Sequence, residues 1–262
     1  MAEIESGADT NNNNNKKKKK LTAGGVVYRI VVVALLAVMA VSGFRVAKTY
    51  YGYYTARQEY KKVGELADFD PDMLTVNVDW EALHEINPEV CAWLLLGDSI
   101  INYPVAQTDN NDKYLHHLID GSYNFSGTIF VDCSSLPNFE GFNTVVYGHH
   151  MKDGSMFAPL QKFITDPSYY EGHKQFELFT PDGQYHLQVF AAFVTDASSD
   201  VYNQHFSNDS QRQAHLDRLF SYNYLSTDVT VGPDDHIVTL STCVDAEGTA
   251  RYVVICKMVP WN

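Results

Sequence analysis

HIVTLSTCVDAEGTARYVVICKMV, residues 236–259, is the stretch on which the reading of this chain turns. Two runs rich in Val, Ile and Thr flank VDAEGTA, a loop that contains Gly248, and this pattern predicts a β-hairpin with a medium loop. If Cys243, the last residue of the first run, pairs with Arg251, the first of the second, their side chains share one face with Cβ atoms about 5 Å apart. A guanidinium there lowers a thiol pKa or holds a carbonyl oxygen beside an attacking sulfur. Burial of the sulfur would favour the neutral thiol instead, so the resting charge state stays open. Cys256 lies an odd number of positions beyond Arg251 and therefore faces the other side of a regular strand, where it reads as core.

Outward from the hairpin, the chain from about Val76 consists of short apolar runs separated by Gly, Pro, Asn and Asp. CAWLLL, INYPVAQ, GTIFVD, NTVVYGH and QFELFTPDGQYHLQVFAAFVTD read as strands, the last split by a Pro181-Asp182-Gly183 turn. VDWEALHEINPEV predicts a short helix ended by Asn87-Pro88, and SMFAPLQKFI and DSQRQAHLDRLFSYN (209–223) predict two more. Many short strands with a few helices predict a mainly β fold, a closed or nearly closed β-barrel with peripheral helices.

The N-terminal part has a different texture. Residues 11–20 are NNNNNKKKKK, which cannot bury a core and predicts a disordered tail over 1–20. Leu21 to Phe44 then carries a single charge, Arg29, and is long enough to span a bilayer as a transmembrane anchor over 21–45. A signal peptide is the competing reading, with Ile30–Phe44 as its apolar region. The Lys block favours a cytoplasmic N-terminus, a single pass, and a body on the outer side of the cell membrane. YYGYYTARQEYKKVGELADF, residues 50–69, predicts a juxtamembrane helical segment within 46–75. Residues 1–45 hold seven Lys/Arg against three acids, whereas the remainder holds twelve against twenty-nine. A body this acidic is not expected to bind nucleic acid through phosphate.

A nucleophilic cysteine needs a base, and ten histidines are available. His149 stands out because an apolar strand ends in Gly148-His149, so the imidazole emerges at a strand end. A surface histidine is the plainer reading of that position. The pairs His116-His117 and His149-His150 raise the question of a metal, but no ligand spacing supports one, and no metal or cofactor is expected. Cys91, beside Trp93, reads as core; Cys133, at a strand end, is ambiguous.

TLSTC at 239–243 with an arginine shortly after, YGHHMKDGSMF at 147–157, and the upstream INPEVCAWLLLGDSIINYPVAQTDNNDKYL and GTIFVD together resemble the sortases, specifically class B, over roughly residues 80–259. The helix at 209–223 resembles an insertion that class B enzymes carry. The resemblance implies an eight-stranded barrel over 76–262 and a membrane-anchored extracellular cysteine transpeptidase. On these positions it implies Cys243 as nucleophile, His149 as general acid/base and Arg251 as the group that holds the oxyanion. It further implies Ser241 as a sorting-peptide contact and Asp245 as an acid that orients the histidine. The implied partners are secreted proteins with a C-terminal sorting signal cleaved at threonine, a cell-wall precursor or pilin amine as acceptor, and the membrane. A hydrolytic cysteine peptidase would use the same residues, and an inactive membrane-anchored binding module is the other alternative.

Overall fold

The structure, a computed structural model, describes residues 23–70, 75–97, 101–244 and 248–261. The tail expected at 1–20 and Asp245 lie outside the described residues. Helix α1 (Ala23–Gly64) covers the described residues of the expected span and the juxtamembrane segment as far as Gly64. By length and composition its apolar part can cross a membrane. The chain divides into two compact units, the first ending at Thr49 and the second running from Tyr50 to Asn262. In the first, apolar side chains such as Val27, Leu35 and Phe44 are exposed.

In the second unit α1 ends at Gly64, after Lys61 and Lys62, which favour the negative end of the helix dipole. The helix read as far as about Phe69 ends at Gly64, and Ala67–Asp70 (β1) pairs antiparallel with Thr75–Val78 (β2). Glycine is a poor helix former, and the turn it permits carries Leu66 and Ala67 onto a cluster that buries Val63 and Val78. The Asp79 N–H then donates to the Leu66 carbonyl at 2.9 Å and closes the turn. Helix α2 (Trp80–Ile86) starts where the Asp79 carboxylate accepts from the Ala82 N–H and stops at Asn87, before Pro88.

The remaining strands are β3 (Val90–Leu95), β4 (Asn102–Gln107), β5 (Ile129–Val131), β6 (Asn143–Tyr147), β7 (Gln175–Thr180), β8 (Gly183–Asp196), β9 (His236–Cys243) and β10 (Ala250–Pro260). They close into a barrel of order β10-β8-β7-β3-β4-β5-β6-β9, with β9 paired to β10. Pairings are antiparallel except for β4 with β5 and β6 with β9. Parallel neighbours need a crossover. The one from β6 to β9 carries α3 (Lys162–Thr165), α4 (Tyr169–Gly172), β7, β8 and α5 (Asp209–Tyr222).

Both faces of the wall are covered, which is why these strands read as apolar runs without strict alternation. Along β9 and β10, Val238, Leu240, Val254 and Cys256 point into the barrel. Ile237, Val253 and Ile255 point outward, under Leu216 and Leu219 of α5. Helix α5 begins at an Asn208 cap that accepts from the Gln211 N–H at 3.0 Å, an interaction worth about 1 kcal/mol. A second outer cluster joins Val63 and Leu83 to Trp93, Tyr114 and Phe179.

Candidate active site

The hairpin has the register read from its sequence: Cys243 is the Cα partner of Arg251 and Ser241 that of Val253, with no shift along the pair. Since Ile237 and Val253 face outward, parity places Thr239, Ser241, Cys243 and Arg251 on the same outer face. On the other side of β9, parallel β6 sets Tyr147 level with Ser241. The Gly148 N–H extends that ladder by one bond to the Ser241 carbonyl, at 3.2 Å. His149 is the next residue in the chain, just past the end of β6. Cys243 and Arg251 are cross-strand partners, and the strand that leads to His149 is the parallel neighbour of the one that ends in Cys243.

Space explains the glycine before His149. A Cβ at Gly148 would lie 2.7 Å from Cγ and Cδ2 of Phe157, whose ring is fully buried. The Phe157 N–H donates to the His149 carbonyl at 3.0 Å, so the ring that fills the glycine's space also ties down the histidine backbone.

His149 Nε2 lies 2.8 Å from the Leu115 carbonyl. A carbonyl only accepts, so Nε2 carries the hydrogen and Nδ1 is the nitrogen left to take up or release a proton. Burial holds the His149 pKa below its ordinary value, the Leu115 carbonyl pushes the other way, and the neighbouring His116 adds to the depression. The His116 and His149 rings are stacked with centroids 6.4 Å apart. His117 turns aside, its Nδ1 2.7 Å from the Lys113 carbonyl and its ring edge-on to Tyr123. Among the described residues, no group of three or more His, Cys, Asp or Glu side chains is arranged to hold a metal ion.

Arg251 Nη1 donates to the carbonyls of Gly248 and Ala250, each at 3.0 Å, which secures the guanidinium at the end of the hairpin loop. Asp196, opposite Ala250 on β8, has a pKa brought down to about 2 by the Ser198 and Thr249 hydroxyls and, to a smaller extent, by the Arg251 charge. Ser241 is on the expected face but is buried, with its hydroxyl 2.9 Å from that of Tyr202.

Several neighbours were not visible as site residues in the sequence. Tyr202, on the 3₁₀ turn Asp200–Tyr202, packs with its ring centroid 6.2 Å from that of Tyr147. Asp132 is buried next to Tyr147. Burial raises its pKa, but bonds from the Ser134 N–H, Gln204, Asn111 and Tyr147 outweigh that and hold it below the usual carboxylate range. The other cysteines differ from Cys243, whose thiol is half-buried at the strand end. Cys256 is sealed in the barrel, with its pKa raised by burial, and burial pushes the Cys91 thiol up to about 12. Cys133 is exposed.

Comparison with known proteins bears on the family and the fold. A family model described as the sortase domain matches residues 97–259. Sortase B of Staphylococcus aureus is 32% identical over 229 residues, covering 86% of this chain and 93% of that protein. Sortase B of Listeria monocytogenes is 30% identical over 218 residues, covering 80% and 86% respectively. The structure of a Staphylococcus aureus sortase B–substrate complex superposes with a TM-score of 0.72 at 33% identity, covering 80% of this chain and 98% of that one. A sortase B of B. anthracis superposes with the same TM-score, 0.72, at 32% identity, covering 81% and 100%. The eight-stranded closed barrel is the fold of these enzymes, and the chain belongs to the sortase family, as a class B cysteine transpeptidase.

Proposed function

We propose that Cys243 is the nucleophile of a transpeptidation that joins secreted proteins to a surface amine, with His149 as general acid/base and Arg251 as oxyanion holder. The observation that carries this reading is the register of the β9–β10 hairpin, which sets Cys243 directly opposite Arg251, with β6, the strand that leads to His149, as the parallel neighbour of β9. The deprotonated Sγ of Cys243 attacks the carbonyl carbon of the threonine in a C-terminal sorting signal, and the carbonyl oxygen takes the negative charge. Arg251 carries five donors, of which Nη1 is used on the loop carbonyls, and Nε and Nη2 serve that oxygen. His149, protonated at Nδ1 while Nε2 stays on the Leu115 carbonyl, gives a proton to the leaving amine nitrogen. The C–N bond breaks and a thioester on Cys243 remains. An acceptor amine then loses its proton to His149 and attacks the thioester carbonyl. The C–S bond breaks, and a new amide leaves the thiolate and imidazolium as they began.

Residues 21–45 are the membrane anchor in this reading, with the basic tail in the cytoplasm and the barrel outside, where sorting signals and wall or pilin amines are found. Ser241 acts through Tyr202, to which its hydroxyl is bonded, in shaping the wall along which the peptide lies. Asp245 is kept as an acid of the hairpin loop that orients the imidazole.

The test is to offer the full-length protein in detergent micelles a panel of fluorogenic sorting peptides, each with and without glycine oligomers, a diaminopimelate-bearing peptide or a lysine peptide. Cleavage that vanishes in Cys243→Ala, with ligated products when amine is present, is expected. Water as the sole acceptor under every condition would make the enzyme a peptidase, and no cleavage of any peptide would remove the assignment.

A further inference from the structure

The His149 imidazole depends on a single backbone carbonyl, and the way that carbonyl is held reaches back to α1. In the segment 113–128 the neighbouring carbonyls are all occupied from within. Tyr114 O accepts from the Thr128 N–H (2.9 Å) and His116 O from the Asn124 N–H (2.8 Å), while His117 O accepts from the Thr128 hydroxyl (2.9 Å). Leu115 O is the one turned to His149 Nε2, at 2.8 Å.

Gly127 sits against this group. With φ at +55°, it is in the left-handed region that favours glycine, and a Cβ built on it would lie 2.3 Å from Tyr114 O, 2.8 Å from Leu115 O and 3.0 Å from Leu115 C. These are backbone atoms, so no side-chain rotation relieves the clash. The Gly127 peptide is in turn pinned by α1. The Tyr60 hydroxyl donates to the Gly127 carbonyl at 2.5 Å and lies 3.3 Å from the Thr128 hydroxyl. Two turns earlier Asn124 Nδ2 donates to Gly52 O and Thr55 Oγ1, each at 3.0 Å. Phe125 packs so closely on Gly52 that a Cβ there would lie 2.2 Å from its ring.

We propose that Gly127 and Tyr60 are positioning residues for His149: Tyr60 fixes the Gly127 peptide, and the bare Cα of Gly127 lets the chain pass against the Leu115 carbonyl that sets the imidazole. Residues 50–64 of α1 are accordingly part of the catalytic apparatus and more than a spacer. The proposal rests on the reading of His149 as the general acid/base.

The test uses full-length protein in nanodiscs with isotope-labelled histidine, titrated by NMR, with His149→Gln assigning the resonance. The kinetic readout is cleavage of a fluorogenic sorting peptide. In Gly127→Ala the loosened Leu115 carbonyl withdraws a bond that favours the charged ring, so the His149 midpoint moves to lower pH. kcat falls roughly ten- to a hundredfold with KM little changed. Tyr60→Phe moves both in the same direction by less. Gly121→Ala is the matched control. Gly121 lies in the same segment with φ at +80°, yet a Cβ on it meets nothing within 4 Å, so both readouts stay at wild-type values.

An unchanged midpoint and kcat in Gly127→Ala, with His149→Gln inactive, would overturn the proposal while leaving the role of His149 standing. So would a Gly121→Ala effect as large as that of Gly127→Ala. Full activity in His149→Gln would instead defeat the underlying reading, and the proposal with it. If Gly127→Ala does not fold, Tyr60→Phe decides: wild-type behaviour of that variant contradicts the pinning of Gly127 by α1.

Discussion

Replacing Gly148 by Ala tests whether the close approach of Phe157 sets the position of His149. The new methyl would lie 2.7 Å from two ring atoms, where ordinary contact begins at 3.4 Å, so chain or ring must move by about 0.7 Å. The ring is fully buried and the clash falls on Cγ and Cδ2, close to the Phe157 backbone, so the displacement falls on the strand end that carries His149. Overpacking of this kind costs about 1–3 kcal/mol, or roughly 3–9 °C in Tm for a unit of this size. A displacement approaching 1 Å at a catalytic group costs on the order of 10²-fold in kcat. Thermal unfolding and peptide cleavage measure the two effects. Phe157→Leu in the same chain relieves the contact, so the double variant recovers activity relative to Gly148→Ala, with a coupling of at least about 0.5 kcal/mol. Strictly additive losses, or a Gly148→Ala protein as stable and active as wild type, would refute the reasoning.

Other outcomes follow from the same structure. Arg251→Lys keeps the charge but loses the planar fork, so kcat falls about 10²-fold or more while the fold, followed by circular dichroism, is unchanged. His116→Asn removes the neighbouring imidazole that depresses the His149 pKa, so the limb of the kcat/KM profile set by His149 moves to higher pH. Burial, and then the Arg218 charge, brings the His215 pKa from 6.5 to about 4. The unfolded chain therefore takes up this proton before the native one, and stability falls as pH drops from about 6.5 through about 4, by up to ~3 kcal/mol from this group. His215→Leu, set among Phe142 and Phe206, flattens that acid limb in urea unfolding at stepped pH.

How much of this was legible in the sequence varies by element. The β9–β10 hairpin was, down to the Cys243–Arg251 pair, because β-branched runs on both sides of one loop leave few registers that keep Val238, Leu240, Val254 and Cys256 together inside the barrel. Helix α2 was too, since Asp79 and Asn87-Pro88 mark its ends by local chemistry. The β1–β2 pair was not: ADFD and TVNV alternate polar and apolar residues over only four positions each, too short a run to stand out, and Val63 of α1 and Leu83 of α2 supply the cluster that takes in Val78. His149 could be singled out as a strand-end imidazole, but the Leu115 carbonyl that orients it is a backbone group, and no side-chain pattern announces it. Tyr202 escaped for a related reason, since its 3₁₀ turn reaches Ser241 across 39 positions of sequence.

The measurement that bears most directly on the central claim is the capture of the acyl-enzyme. Full-length protein is mixed with a cleavable sorting peptide without amine, quenched in acid and mapped by mass spectrometry. The account predicts a thioester adduct, with the mass of the peptide up to its threonine, on the fragment that contains Cys243, discharged to an amide when an acceptor amine is added before the quench. An adduct on Cys91, Cys133 or Cys256, or cleavage with no adduct on any cysteine, would contradict it.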